Sequence, residues 1–383
     1  MTPCVRREKL ALMRSDGQLT IGVEEEYLVV DPASRAVRSC ADAVASVAAK
    51  RLGAERVGDE ITRFQIEART RPHAELSQLA EEIREMRRAV FGAAAQQGLA
   101  VVSSGSPVLG DVLPLPLTPA PRYARSLEVF RALDDEQCAG ACHVHIGLAD
   151  RALALKVSNH LRPWLPVLVS LTANSPYWAG RDTGYASWRT LSWARWPIAG
   201  PPPYFESVAH FDELVGRLHA SGAVMDPGGL YWDVRPSAHV PTLEVRVADA
   251  LTTADETIVY AALVRALVAT ALHAVRAGDQ APNPSPEVLR AAYWRAARDG
   301  LTGQGFDAHS ARPLPAEALA DLLFAHVRPA LERSGDLENV REGWAWLRGN
   351  GTGAHRQRRA HDRRTRLEDV VDYLITATSP GLP

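Results

Sequence analysis

An α+β fold, its antiparallel sheet polar on one face, is predicted by three features of this chain. Short segments alternate charged and apolar side chains with a period of two, amphipathic helical stretches separate and follow them, and no repeat or low-complexity linker interrupts the 383 residues. Residues 1–383 therefore read as a single large α+β domain, with a strand-rich core over about 19–250 and a helical part over about 253–383.

The first strand is expected at about 19–30. In Thr20–Val30 the alternation sends Glu24 and Glu26 to one face and Ile21, Val23, Tyr27 and Val29 to the other, and only Glu25 breaks the apolar face. A helix-like stretch near 40–52 leads to a second strand at about 60–70, in which Arg63, Gln65, Glu67 and Arg69 oppose Thr62, Phe64, Ile66 and Ala68. Leu76, Leu79, Ile83, Met86 and Val90 recur at helical spacing, Gly98 ends that helix, and Leu99–Ser103 reads as a short strand before a Gly/Pro-rich loop over Ser104–Pro121. Cys142–Gly147 is the next strand. The apolar helical stretch at 151–172 should be divided by Pro163 and Pro166. Asn174–Pro203, rich in Trp, Arg and Pro, reads as an ordered loop.

Two further strands close the core. Tyr231–Arg235 groups Asp233 with Arg235, and Thr242–Val247 groups Glu244 with Arg246 opposite Leu243, Val245 and Val247. Thr253 and Glu256 form a capping box opening a long Ala/Leu/Val helix that ends near Gly278, and Ser285–Pro286 opens another through about Arg298. The remainder is expected to be helical.

Composition narrows the function. Forty-three Lys plus Arg against 45 Asp plus Glu gives a formal charge of -2, which removes the electrostatic case for a nucleic-acid partner and favours small-molecule substrates. The charged start argues against a signal peptide, and no run reads as a membrane span, so a cytoplasmic setting is expected. Cys4, Cys40, Cys138 and Cys142 are too scattered for a disulfide scaffold, and reduced thiols are expected.

Glu24, Glu26, Glu67 and Glu244 together describe a carboxylate-lined cup, the oxygen-rich surface a hard divalent cation such as Mg²⁺ or Mn²⁺ needs. Arg235 and Arg246 on the same face suit phosphate, because the guanidinium fork matches its geometry. No Gly-rich phosphate loop or dinucleotide fingerprint is present, so ATP would be held another way. Cys138, Cys142, His143 and His145 invite a zinc reading, but alternation turns the Cys142 thiol away from both imidazoles. The Arg-rich segment His355–Arg366 reads as a solvated charged face.

Gly22-Val-Glu-Glu-Glu-Tyr, Cys142-His-Val-His-Ile-Gly, Gly180-Arg-Asp-Thr-Gly-Tyr-Ala-Ser-Trp-Arg, Ala199-Gly-Pro-Pro-Pro, Trp232-Asp-Val-Arg-Pro-Ser and Thr242-Leu-Glu-Val-Arg-Val, in this order, resemble the type 2 glutamate-cysteine ligase, or carboxylate-amine ligase, family. The resemblance implies a fold like the catalytic domain of glutamine synthetase, a curved antiparallel sheet with a polar concave face and helices behind it. It implies a reaction in which ATP phosphorylates a carboxylate and an amine displaces phosphate to form an amide. Carried over by motif, Glu24, Glu26, Glu67 and Glu244 would hold Mg²⁺ or Mn²⁺, with Glu60 a further candidate. Arg246 and Arg235 would meet phosphates, His143 and His145 would lie by the reacting groups, and Arg181 with Tyr185 would bind a substrate carboxylate.

The implied products are gamma-glutamyl-type amides, from glutamate and cysteine or from another acid and amine, since a fold does not fix a substrate. Two other classes stay open on the residues alone, a metal-dependent amide hydrolase using the same cup and a non-catalytic ligand-binding homologue. Intact Glu24, Glu26, Glu67, Glu244 and Arg246 count against the non-catalytic homologue, and dependence on ATP separates the ligase from the hydrolase.

Overall fold

The structure, a computed structural model, describes residues 19–379; Cys4 and the charged start lie outside them. The chain order of strands is β1 (Ile21–Val30), β2 (Val57–Asp59), β3 (Gln65–Arg69), β4 (Ala100–Val102), β5 (Ala141–Gly147), β6 (Tyr177–Trp178), β7 (Arg181–Asp182), β8 (Val234–Pro236), β9 (Thr242–Asp249), β10 (Gln304–Asp307) and β11 (Arg312–Pro315). Helices α1 (Ala41–Leu52), α2 (Leu76–Gln96), α3 (Pro121–Phe130), α4 (Ala132–Asp135), α5 (Arg151–Leu161), α6 (Leu165–Thr172), α7 (Trp188–Trp193) and α8 (Val208–Ala220) intersperse the sheet. After it come α9 (Ala254–Ala277), α10 (Pro286–Asp299), α11 (Ala316–Ser334), α12 (Leu337–Asn350), α13 (Gly353–Asp362) and α14 (Leu367–Thr378).

The main sheet runs β2-β3-β1-β5-β9-β8, with β4 also on β1, and every pairing is antiparallel. Register places Glu26 opposite Glu67, Glu24 opposite His143, and His145 opposite Glu244, so the polar residues of four strands meet in one patch. The opposite face is apolar. Ile21, Val23, Val144, Ile146, Leu243 and Val245 join the core with Leu79 and Ile83 of α2 and with the buried side of α9.

The polar face is not polar throughout. Leu28 and Val30 share the parity of Glu24 and Glu26, yet they lie under Val370, Val371 and Leu374 of α14. The C-terminal helix thus limits the polar cup to the other end of β1. Glu25, the one acid on the apolar face, pairs with Arg87 of α2 at 2.5 Å, with exposures of 1% and 0%. Tyr27 Oη and Thr257 Oγ1 donate to the same carboxylate, at 2.5 and 2.6 Å. Removing either partner of so buried a pair would cost about 3–5 kcal/mol.

Several expectations need correction. β3 begins at Gln65, because residues 61–64 form a turn; Phe64 packs with Leu28, and Arg63 leaves the polar face to reach Asp42 at 3.4 Å. Asp233 precedes β8 and is buried away from the cup. α9 is long and apolar enough by composition to cross a bilayer, contrary to the sequence reading, but 67% of its apolar window is buried and Arg265 sits in it, paired to Asp336 at 2.5 Å. The loop Asn174–Pro203 contains β6, β7 and α7, and the helical C-terminal part contains the β10–β11 hairpin. His355–Arg366 is not a solvated face throughout. Arg356 is buried against Glu256 at 2.7 Å and Gln357 donates to Asn174 Oδ1 at 2.8 Å, tying α13 to the capping box of α9.

Candidate active site

A cavity of about 600 Å³ opens over the polar face, and Glu24, Glu26, Glu60, Glu67, His143, His145, Arg235, Glu244 and Arg246 all line it. β1 contributes Glu24 and Glu26, β3 Glu67, β5 the two histidines, and β8 and β9 the arginines and Glu244; Glu60 comes from the turn between β2 and β3. Gly58 on β2 allows the close approach: a Cβ there would stand 3.1 Å from Glu67 Oε1.

A β-bulge shapes the far side of this cup. Between β5 and β9 the register slips, so that Arg246 and Val247 together face the single residue His143. Beyond the slip Ala248 enters the core beside Val247, and Asp249 turns out of it, which strict alternation would not allow. Asp249 then accepts hydrogen bonds from Ser175 and Ser187, both at 2.7 Å, and from the Asn174 backbone at 2.8 Å. Those bonds anchor α7 to the sheet.

The carboxylates fall into two electrostatic groups. Burial pushes Glu26 up to about 7 and Glu67 up to about 8, the latter helped by the Glu24 charge. Burial and then repulsion from Glu26 push Glu60 well above its ordinary value. Ligand oxygens of these three lie within 4.8 Å of one another. In the second group burial is outweighed. His143 and His145 hold Glu24 well below the usual carboxylate range, and Arg246 and then Arg235 do the same for Glu244.

The partners are close. Arg235 donates to Glu244 at 2.8 Å, Arg246 pairs with the same carboxylate, and His145 Nε2 lies 3.4 Å from Glu24. Burial, then Arg246, lowers His143 to about 4, so its ring is neutral at pH 7. His145 moves the other way: hydrogen bonding and attraction from Glu24 overcome burial and raise it.

Three sets of side chains have the donor atoms that could hold a cation. Glu24, Glu67 and His143 form one group, Glu24, His145 and Glu244 a second, and Glu26, Glu60 and Glu67 a third, each within 4.8 Å. Three carboxyls stay raised although Arg69 pairs with Glu67, a repulsion that a divalent ion would relieve, and His143 Nε2 has no hydrogen-bond partner. Cys142 is no part of these sets; it is fully buried in the apolar core on the other face.

Arg181 and Tyr185 do not line the cavity. Arg181 is exposed on β7 with its guanidinium 5.7 Å over the Trp188 ring, and Tyr185 Oη accepts from Trp294 Nε1 at 3.3 Å. It is Arg189, the last residue of the same motif, and Trp193, four residues further on α7, that reach the cavity. Gln137, Arg122, Tyr123, Tyr231 and His239 also line it and carry no signal in isolation. Arg189 and Trp193 fall in the segment read as an ordered loop, and a six-residue helix is too short for periodicity to reveal them.

The geometry meets its match in known sequences. The description "Glutamate-cysteine ligase family 2" fits residues 20–373. This chain belongs to that family. A homologue from Saccharopolyspora erythraea, provisionally named glutamate--cysteine ligase 2-1, is 46% identical over 94% of the chain and 95% of its own length. One from Mycobacterium sp. (strain KMS), provisionally named glutamate--cysteine ligase 2-2, is 46% identical over 94% and 98%. Among solved structures, glutamate--cysteine ligase from Francisella tularensis in complex with AMP superposes with a TM-score of 0.68 at 13% identity, over 96% of this chain and 90% of that one. A bifunctional glutathione synthetase from Pasteurella multocida gives 0.71 at 15%, over 94% of this chain and 52% of that one. At such identities the superpositions speak for the fold, which is the glutamine-synthetase-like class expected from the sequence. Family membership makes the chain a glutamate-cysteine ligase-like carboxylate-amine ligase.

Proposed function

We propose that this ligase is ATP- and Mg²⁺-dependent, releases ADP, and joins the side-chain carboxylate of glutamate to cysteine or another small amine through an acyl phosphate. The observation that carries this reading is the partition of one cup into an acidic group, Glu26, Glu60 and Glu67, whose one guanidinium ion pair is Arg69 to Glu67, and a group paired with Arg235, Arg246 and His145. Glu24, Glu26, Glu60 and Glu67, with Glu244 and His145, would hold Mg²⁺ or Mn²⁺. A bound ion supplies charge neutralisation and orientation for phosphate oxygens.

The chain's own residues would do the rest. Arg246 Nε is buried without a partner, so this guanidinium keeps a donor for a transferring phosphoryl group while its other end holds Glu244. Arg235 is more fully engaged, donating to Glu244 and to the Gly228 and Leu230 carbonyls, and serves to fix Glu244 in place. Neutral His143 stands beside Glu24 and Arg246, its Nδ1 3.3 and 3.4 Å from them, where the ring can take the proton that the neutral amine's nitrogen sheds as the amide bond forms and phosphate leaves. Positioning and charge neutralisation account for most of the catalysis in such a site. We place the reaction in the cytoplasm and within a unit spanning the whole chain; free Cys40, Cys138 and Cys142 suit a reducing compartment.

Labelling the acid's carboxylate with heavy oxygen tests the route. An acyl phosphate delivers one labelled oxygen to inorganic phosphate, with ADP as the nucleotide product. Label in AMP would replace the route by adenylation, and amide chemistry without nucleotide turnover would replace the ligase by a hydrolase.

A further inference from the structure

A chain of buried hydrogen bonds ends on one oxygen of the cup. Gln65 of β3 lines the cavity and is 3% exposed. Its Nε2 donates to the Ala139 carbonyl at 2.9 Å and to Glu26 Oε2 at 3.3 Å. A carbonyl can only accept, so the orientation of the amide is set. Its Oε1 accepts from Thr62 Oγ1 at 3.0 Å and from Cys138 Sγ at 3.5 Å. Burial pushes the Cys138 thiol up to about 12, so it keeps the proton that it donates.

A carboxamide has two N–H donors and two acceptor lone pairs, and Gln65 has all four engaged. Nothing is left over for a substrate or a cation, although the side chain stands in the cavity wall. What it does is brace. From β3 it reaches past β1 to the segment leading into β5, and it is itself held by Thr62 from the turn before β3.

The two oxygens of Glu26 consequently differ. Oε2 takes both the Gln65 amide and the Ala141 backbone N–H, the latter at 2.9 Å. Among the described residues no hydrogen bond reaches Oε1, which lies 3.9 Å from the unpartnered His143 Nε2. A carboxylate held in this way offers a cation one oxygen and not two. That suits Mg²⁺ and Mn²⁺, which take six ligands in a tight octahedron, better than Ca²⁺, which takes more oxygens and often both of one carboxylate.

We infer that Gln65 is a positioning residue, its amide held by Thr62 and Cys138, that presents Glu26 Oε1 alone to the cation and thereby favours Mg²⁺ and Mn²⁺ over Ca²⁺. This role rests on the cation-dependent ligase reading above, and adds to it the means by which the cup tells a small divalent ion from a larger one.

The test is Mn²⁺ binding to the full chain without nucleotide, read from the paramagnetic resonance signal of the free ion, with Mg²⁺ and Ca²⁺ as competitors. Gln65→Leu, which frees Oε2 from the amide, should weaken Mn²⁺ about tenfold or more and shift the competition toward Ca²⁺ by about fivefold or more. Thr62→Val, which removes only the hydroxyl that holds the amide, should produce both changes at about threefold, and Thr62→Ser, which keeps a hydroxyl, should stay within about twofold of wild type. Thermal midpoints are measured alongside: a glutamine that only braces the fold would lower the midpoint and leave the Ca²⁺ to Mg²⁺ ratio where it was, which overturns the assignment. An unchanged ratio in Thr62→Val does the same should Gln65→Leu not fold. In either case Mn²⁺ binding by the wild-type chain leaves the ligase reading intact, whereas no Mn²⁺ binding by the wild-type chain overturns both.

Discussion

The two halves of the cup are built from the same side chain and behave as opposites. Around Glu26, Glu60 and Glu67 the nearest compensating cation is Arg69, which pairs with Glu67 alone, and burial drives the carboxyls up. Around Glu24 and Glu244, two imidazoles and two guanidiniums drive them down against the effect of burial. Neighbours, not residue type, decide which carboxyls burial raises and which an ion-pair network holds down. A structural network stabilises the fold, whereas an uncompensated cluster is tolerated for what it binds.

The largest expected effects separate the halves directly. Glu67→Gln and Glu244→Gln should each lower turnover by about a thousandfold or more at saturating Mg²⁺, since each removes an anionic oxygen from the cation-binding half or from the pair that fixes Arg246. Their stabilities should diverge. Glu244→Gln strands Arg235 and Arg246 and should cost about 3–5 kcal/mol, while Glu67→Gln gives up the half-exposed pair to Arg69 but relieves burial and repulsion, and should change the metal-free protein by no more than about 1 kcal/mol. Chemical denaturation of both variants checks this, and equal destabilisation would erase the distinction drawn here.

Arg246→Lys comes next, with turnover expected to fall about a hundredfold. A point charge can keep the contact to Glu244 or meet phosphate, but cannot do both as the planar fork does. Steady-state kinetics with ATP varied would show it.

Stability against pH reads the halves without any mutation. Raised carboxyls favour the folded state only while protonated, so Glu26 and Glu67 should make the metal-free protein lose stability as pH rises from the ordinary value of 4.5 toward about 7 and about 8. Glu24 and Glu244, held down, contribute stability that is present above 4.5 and lost as pH falls below it. Thermal midpoints across pH 5–9, with and without Mg²⁺, test the claim: Mg²⁺ should flatten the decline, and a decline unaffected by the ion would detach these carboxyls from cation binding.

The smallest expected effect marks the boundary of the site. Arg181→Ala should change turnover and the KM for the acid by no more than about twofold, as for an ordinary surface substitution. A tenfold rise in that KM would bring the β6–β7 hairpin back into the substrate site.

Much of this was determined by the sequence alone. The period of two put Glu24 with Glu26, Glu67 with Arg69, His143 with His145 and Glu244 with Arg246, and the capping box, the divided helix at Pro163 and Pro166 and the α2 stripe appear as expected. These are signals within a few residues of chain, where side-chain direction follows from backbone geometry. What only the tertiary structure decided is non-local. Arg87, 62 residues from Glu25, is what makes an acid on the apolar face tolerable. The bulge at Arg246–Val247 turns Asp249 toward α7 against strict alternation, and Arg189 caps that bulge from a segment the sequence presents as loop. Charge pairing, burial and register slips depend on which segments meet after folding, and no local period records that meeting.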